Sequence, residues 1–168
     1  MKFGKSRLVS AVGAMTVAGH LAVQTVGGYE GLKLYAYRDI IGVWTACYGE
    51  TKGIKPGMKF SKATCDNMLV DSLVAHEQGM RKCLKDPDGI PIEIYIAELS
   101  LTYNIGAGPG SRGRDGFCGS SLPAKTNAKQ WRAICDTLPS FNKAGGKVSR
   151  GLVNRRATER ALCLKGLH

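Results

Sequence analysis

The sequence is short of acidic residues. Its 13 Asp and Glu stand against 24 Lys and Arg in 168 residues, a formal net charge of +11. Such a surface suits an anionic polymer: nucleic acid, anionic lipid or an acidic cell wall. Other gaps argue against nucleic acid. There is no zinc-finger spacing, no aromatic-rich RNA motif and no dense Lys/Arg block, the nearest approach being Arg155-Arg156. No G-x-x-x-x-G-K-[S/T] string occurs, so there is no phosphate loop. No C-x-x-C occurs and His20, His76 and His168 are scattered, so no metal site and no cofactor are expected. The length is that of one domain, enough to bury roughly two-thirds of the unfolded surface.

A second gap lies near the amino end. Residues 8 to 29 contain no Asp, Glu, Lys or Arg, while Lys2, Lys5 and Arg7 precede them. As one helix this run is long enough to cross ~30 Å of hydrocarbon. The upstream positive charge keeps that end cytoplasmic and exports the rest. Six cysteines agree with export: an even number, widely spaced, points to three disulfides in an oxidising compartment, the alternative being free core thiols in a cytosolic protein. Six cysteines allow 15 pairings.

Three readings of the run stay open. A cleaved signal peptide has the same charge and apolar core, though Ala18-Gly19-His20 is a poor cleavage site. A permanent anchor is the second. The third is a segment that enters the bilayer and later leaves it. Ser10, Thr16, His20, Gln24 and Thr25 interrupt the run, along with Gly13, Gly19, Gly27 and Gly28, and Ala and Val dominate the remainder. Retention in the membrane is then only marginally favourable.

Directly after the run comes the densest functional signal, Glu30-Gly-Leu-Lys-Leu-Tyr-Ala-Tyr-Arg-Asp39-Ile-Ile-Gly-Val-Trp-Thr45. Two nearby carboxylates are a minimal set for cleaving a glycosidic bond, one protonated as general acid and the other ionised. Glu30 follows an apolar run, which favours its protonated form, and Asp39 sits beside Arg38 at a turn, which favours the ionised form. Among 13 carboxylates such spacing also arises by chance. The whole string, Glu, eight residues, Asp, five residues, Thr, resembles the active-site signature of the phage-type lysozymes, endolysins that cut bacterial peptidoglycan. A second string, Gly151-Leu-Val-Asn-Arg155-Arg156-Ala-Thr-Glu159, is similar to that family's G-L-x-x-R-R-x-x-E element. A third, Tyr103-Asn104-Ile105-Gly106, is similar to its Asn-x-Gly element. The family often has Gly-His-Thr after the Thr strand. Here Gly49-Glu50-Thr51 stands there, so no role for that His carries over.

The resemblance spans about residues 29 to 165. It implies an α+β, two-lobed phage-lysozyme fold, a small antiparallel sheet lobe and a larger helical lobe with a cleft between. It implies hydrolysis of the β-1,4 bond between N-acetylmuramic acid and N-acetylglucosamine, with Glu30 as acid, Asp39 as stabiliser or base and Thr45 orienting water. Arg155 would hold Glu30, and Asn104 would bond backbone or sugar. Some family members carry a signal-anchor-release segment directly before the catalytic Glu, which assigns 1–28 to that segment and 29–168 to the lysozyme domain. Residues 8–28 would contact the inner membrane transiently, amino end inside, before release of a phage-encoded monomer to the periplasm. Folding of the released run onto the domain would place Glu30. Taking neighbours in that fold pairs Cys47 with Cys65, Cys83 with Cys163, and Cys118 with Cys135. Another glycan cleaver (a lytic transglycosylase or chitinase-like enzyme) and a non-enzymatic cationic membrane-disrupting protein are the rivals.

Local patterns fill in the elements. Residues 32 to 48 alternate as a small antiparallel sheet. Ser61 caps a helix from Lys62 to about Leu84, on which His76 and Glu77 read as surface residues. Asp86-Pro87-Asp88-Gly89 is a turn. Pro91 starts a helix with Ile92, Ile96, Leu99 and Tyr103 on one face. Six glycines fall between residues 106 and 120, with Arg112 and Arg114 among them, and read as a mobile rim of the cleft. Residues 128 to 138 form a further helix with Trp131 and Ile134 inward.

Overall fold

The uncharged run folds as two pieces rather than one long helix in the computed structural model, which describes residues 5–39, 41–108 and 116–168. Residues 8 to 16 double back: Val9 bridges Met15, and the Thr16 amide donates to the Leu8 carbonyl. Thr16 then caps α1 (Val17–Glu30), its hydroxyl accepting from the Gly19 amide at 3.1 Å. Fourteen residues rise only about 21 Å, and no helix among the described residues is long and apolar enough to cross a membrane. Ala18, Gly19, Ala22, Val23 and Val26 of α1 are buried, whereas His20, Gln24 and Gly28, four apart on the opposite stripe, are exposed.

The chain divides into two compact units: Leu8–Val74, and Met1–Arg7 with Ala75–His168. In the first, α1 is followed by β1 (Lys33–Arg38) and β2 (Trp44–Cys47), an antiparallel pair with Tyr37 opposite Thr45 and Arg38 opposite Trp44. The chain at 58 to 60 joins the other edge of β1, through Ala36 to Met58 and Phe60 to Leu34 bonds. The sheet expected over residues 32 to 48 is therefore present. The first part of α2 (Lys62–Arg81) completes the unit, with the Ser61 hydroxyl accepting from the Thr64 amide. Leu8, Ala22, Val26, Ala46, Leu69 and Leu73 make its core.

The second unit holds the end of α2 and then α3 (Ile92–Ile105), α4 (Leu122–Asn127), α5 (Trp131–Thr137), a 3-10 turn at Leu138–Ser140 and α6 (Arg150–Lys165). A two-residue hairpin, β3 (Lys143–Ala144) with β4 (Lys147–Val148), precedes α6. The turn at Asp86 to Gly89 forms as expected, the Gly89 amide bonding to Asp86. Ile134 is fully buried and Trp131 half-buried. The glycine-rich rim with Arg112 and Arg114 lies largely outside the described residues.

Three expectations need correction. α3 is buried on all sides from Ile94 to Thr102, not along one stripe, because it packs against both α5 and α6. Glu77 is not a surface residue: it is fully buried, because donors from the chain's amino end and from Tyr95 surround its carboxylate. The disulfides are Cys47–Cys65, as expected, but Cys83–Cys118 and Cys135–Cys163 rather than Cys83–Cys163 and Cys118–Cys135. After α3 the chain returns to the end of α2, bringing Cys118 within 3.7 Å of the Gly79 carbonyl and so to Cys83. Cys135 on α5 faces Cys163 on α6, two helices that pack together. Closing loops of 18, 35 and 28 residues stabilises by about 3–4 kcal/mol each in the chain-entropy account.

The second unit buries acids. Glu98 is fully buried on α3, and desolvation pushes its carboxyl up to about 8 against a 2.5 Å bond from Thr126. A folded-state value above the unfolded one means that the folded state binds the proton more tightly. Its protonation therefore supports the fold below about pH 4.5, and that support is lost as pH rises toward 8. Replacing Glu98 with Gln removes this loss. We expect the variant to match wild type near pH 5 and to exceed it by an amount on the order of a few kcal/mol near pH 8, read from urea unfolding at both values.

Candidate active site

Glu30, Asp39 and Thr45 all fall in the unit of residues 8 to 74, each on an element whose ending is locally determined. Glu30 is the last residue of α1. Gly31, at φ 72°, ends the helix and turns the chain toward β1. Gly27, one turn before, seats against the Tyr48 ring: a Cβ there would stand 3.0 Å from Tyr48 Cε1 and 3.5 Å from Leu69 Cδ2. Tyr48 is held in turn. Its hydroxyl donates to Asp66 at 2.6 Å, and Lys62 reaches the other oxygen of Asp66 at 2.6 Å. Burial raises the Asp66 pKa, but the bonds from Lys62 and Tyr48 overcome it and hold Asp66 below the usual carboxylate range. Burial, reinforced by Asp66, raises the Tyr48 phenol. This cluster was not visible in the sequence, since Tyr48 and Asp66 lie in different elements with no motif between them.

Asp39 opens the β1–β2 turn. Its Oδ1 accepts from the Ile41 amide at 3.0 Å and from the Val43 amide at 2.8 Å, and its own amide donates to the Val43 carbonyl. These side-chain bonds use one carboxylate oxygen. Thr45, on β2, is buried and donates its hydroxyl proton to the Val43 carbonyl at 3.1 Å. The hairpin thus fixes Asp39 and Thr45 through one shared residue. Arg38 lies over the Trp44 ring at 5.1 Å and Lys33 over Tyr37 at 3.9 Å, so two cations of the hairpin stack on its aromatics. Glu50, at the position where the family often carries His, is half-buried and bridges back to Ala46.

The other two candidates belong to the second unit. Asn104 is exposed in the last turn of α3, which Gly106 ends at φ 84° with its amide bonded to Thr102. Arg155 is buried, donating to Glu159 and to the Ser100 carbonyl, each at 3.3 Å. Glu159 also accepts from Ser100 at 2.6 Å and from Arg156 Nη2 at 2.9 Å, while Arg156 Nε approaches its other oxygen at 2.6 Å as a charge contact. Burial pushes the Glu159 carboxyl up, opposed by Arg156, Ser100 and Arg155. The Arg-Arg-x-x-Glu string is therefore an interior network, not an exposed helix face.

Helices together with a small antiparallel hairpin, a fold shared with phage endolysins of known structure, place the chain among the lysozyme-type glycoside hydrolases. The active form of the P1 phage endolysin Lyz superposes with a TM-score of 0.73 at 26% identity, covering 91% of this chain and 86% of that one. The secreted inactive form of the same endolysin gives 0.55 at 22% identity, over 91% and 97%. The SAR-endolysin of Enterobacteria phage P21 is 37% identical over 157 residues, 92% of this chain and 90% of the relative. The chain belongs to the phage lysozyme family, whose model matches residues 27–159.

The turn bonds of Asp39 give a test that separates geometry from charge. Asp39→Ala strips the acceptor from two backbone amides and is expected to cost about 1–2 kcal/mol. Asp39→Asn keeps an acceptor oxygen and is expected to cost less than half of that, both read from urea midpoints at unchanged slope.

Proposed function

We propose that this phage lysozyme hydrolyses the β-1,4 bond between N-acetylmuramic acid and N-acetylglucosamine in peptidoglycan, with Glu30 as the general acid. The observation that carries the reading is the Glu-x8-Asp-x5-Thr string set on a helix end and a hairpin of one unit in a chain of this family. Glu30 delivers a proton to the leaving oxygen. Asp39 remains ionised and either stabilises the positive charge on the sugar or activates water. Thr45 has committed its proton to Val43, so its oxygen serves as an acceptor that orients a water O–H. Asn104 and Arg155 support the reaction from the second unit, on the strength of the motifs that hold them. The enzyme acts as a monomer.

The same reading makes residues 1–28 a signal-anchor-release segment, with 29–168 as the lysozyme domain. The amino end stays in the host cytoplasm while residues 8–28 span the inner membrane, and the released protein works in the periplasm. The polar stripe His20, Gln24 and Gly28 supports this. It faces solvent in the folded state and weakens retention in hydrocarbon.

Two experiments test these claims. Turbidity of outer-membrane-permeabilised Gram-negative cells should fall with wild type and not with Glu30→Gln. Clearing by both would make the killing membrane disruption and the site wrong. An anhydro-sugar product, with activity retained in Asp39→Asn, would mark a lytic transglycosylase instead. For the segment, His20→Leu, Gln24→Leu and Gly28→Leu together leave the buried stripe of α1 intact. They should add a few kcal/mol to membrane retention, raising the membrane-bound to periplasmic ratio more than tenfold in fractionated cells.

A further inference from the structure

The amino end of the chain and Glu77 are the two features left without a role by the chemistry above, and they meet. Lys5, Ser6 and Arg7 belong to the same compact unit as residues 75 to 168. Glu77, fully buried, takes three donors: the Arg7 amide at 2.8 Å and the Tyr95 hydroxyl at 2.6 Å on one oxygen, and the Ser6 hydroxyl on the other. The Arg7 guanidinium lies over the Tyr95 ring at 4.6 Å and donates to the carbonyls of Ile90 at 2.8 Å and Pro87 at 3.2 Å. Lys5 pairs with Asp88 at 2.6 Å, and its carbonyl accepts from Gln78. Arg81 closes the arrangement by donating to both Tyr95 and Asp88. Backbone, side chain and cation of one short segment are thus all received by groups from α2, α3 and the turn between them.

The geometry points to a binding site, built on Glu77, Tyr95 and the Pro87 to Ile90 turn, whose ligand is the chain's own basic amino end, Lys5-Ser6-Arg7. Two of the three bonds to the buried Glu77 carboxylate come from that ligand, so the site is costly to leave empty. Resting on the release reading, the inference adds a direction to it. While residues 8–28 span the bilayer, Lys5 to Arg7 lie on its far side and the site is vacant. Release delivers them, and the filled site then favours the released fold over the tethered one. The next residue, Leu8, is fully buried, which ties occupancy of the site to packing of the following run.

Purified full-length protein tests the site without any membrane. Trypsin should cleave after Lys5 and Arg7 at least tenfold faster in Glu77→Gln than in wild type. The variant's Tm should fall by roughly 5–15 °C. Ser6→Ala alone should lower Tm, and should do so by less than half as much in the Glu77→Gln background. Arg7→Lys keeps the charge and the protease site but not the carbonyl fork, and should also speed cleavage if Glu77→Gln proves too unstable to purify. Equal cleavage in wild type and variants, or a Ser6→Ala effect unchanged by Glu77→Gln, overturns the site. In fractionated cells, Arg7→Lys should lower the released fraction relative to wild type, and an unchanged fraction overturns the coupling to release. If no membrane-bound phase occurs at all, the release reading fails while a protected, coupled amino end still upholds the site.

Discussion

Burial of one small-residue helix stripe governs this molecule. Ala18, Ala22, Val23 and Val26 gain little more from a protein interior than from hydrocarbon, since the transfer term depends on apolar area and these side chains offer little. What separates the two environments is contact at van der Waals distance, and the glycines of α1 provide it. A Cβ at Gly19 would stand 2.3 Å from the Leu8 carbonyl oxygen, and one at Gly27 would crowd the Tyr48 ring. Gly19 and Gly27, which add little to membrane retention, are thus the residues that let the helix pack closely in the fold. Because Glu30 ends this helix, seating the stripe fixes where the acid sits.

Sequence patterns revealed the elements whose signals are local. The β1–β2 hairpin, the Ser61 cap, the Asp86 to Gly89 turn and the start of α3 at Pro91 were all legible, because caps, turns and alternation act over a few residues. The candidate chemistry was legible through three strings, each of which falls on an element end or a helix face. What stayed hidden was set at long range. The uncharged run read as one span because hydropathy does not register that Thr16 caps a helix and that Leu8 returns to it. Two of the three disulfides were mispaired, because cysteine spacing says nothing about which helices become neighbours. α3 read as amphipathic because Glu98, Ser100 and Thr102 look solvent-seeking until Thr126, Glu159 and the Glu98 carbonyl, respectively, supply their partners.

Acids are indistinguishable in sequence, yet those of the second unit meet burial in three different ways. Glu159 faces two guanidinium groups and Ser100. Glu77 is met by hydroxyls and a backbone amide. Glu98 has one hydroxyl, and desolvation moves its proton affinity up instead. Each replaces lost hydration at a cost that hydrophobic packing elsewhere must offset.

These interior acids also change what the charge of the chain means. Glu77, Glu98 and Glu159 are fully buried, and of the cations only Arg155 and Arg156 are buried among the described residues. Withdrawing more acids than cations from solvent leaves the surface at least as positive as the formal +11 states. A field of that sign raises the local concentration of an anionic polymer and speeds encounter with it. The scarcity of acidic residues and their placement therefore act together. Three of the few acids hold the interior, and those left at the surface, such as Asp71, Asp86 and Asp136, are outnumbered there by cations.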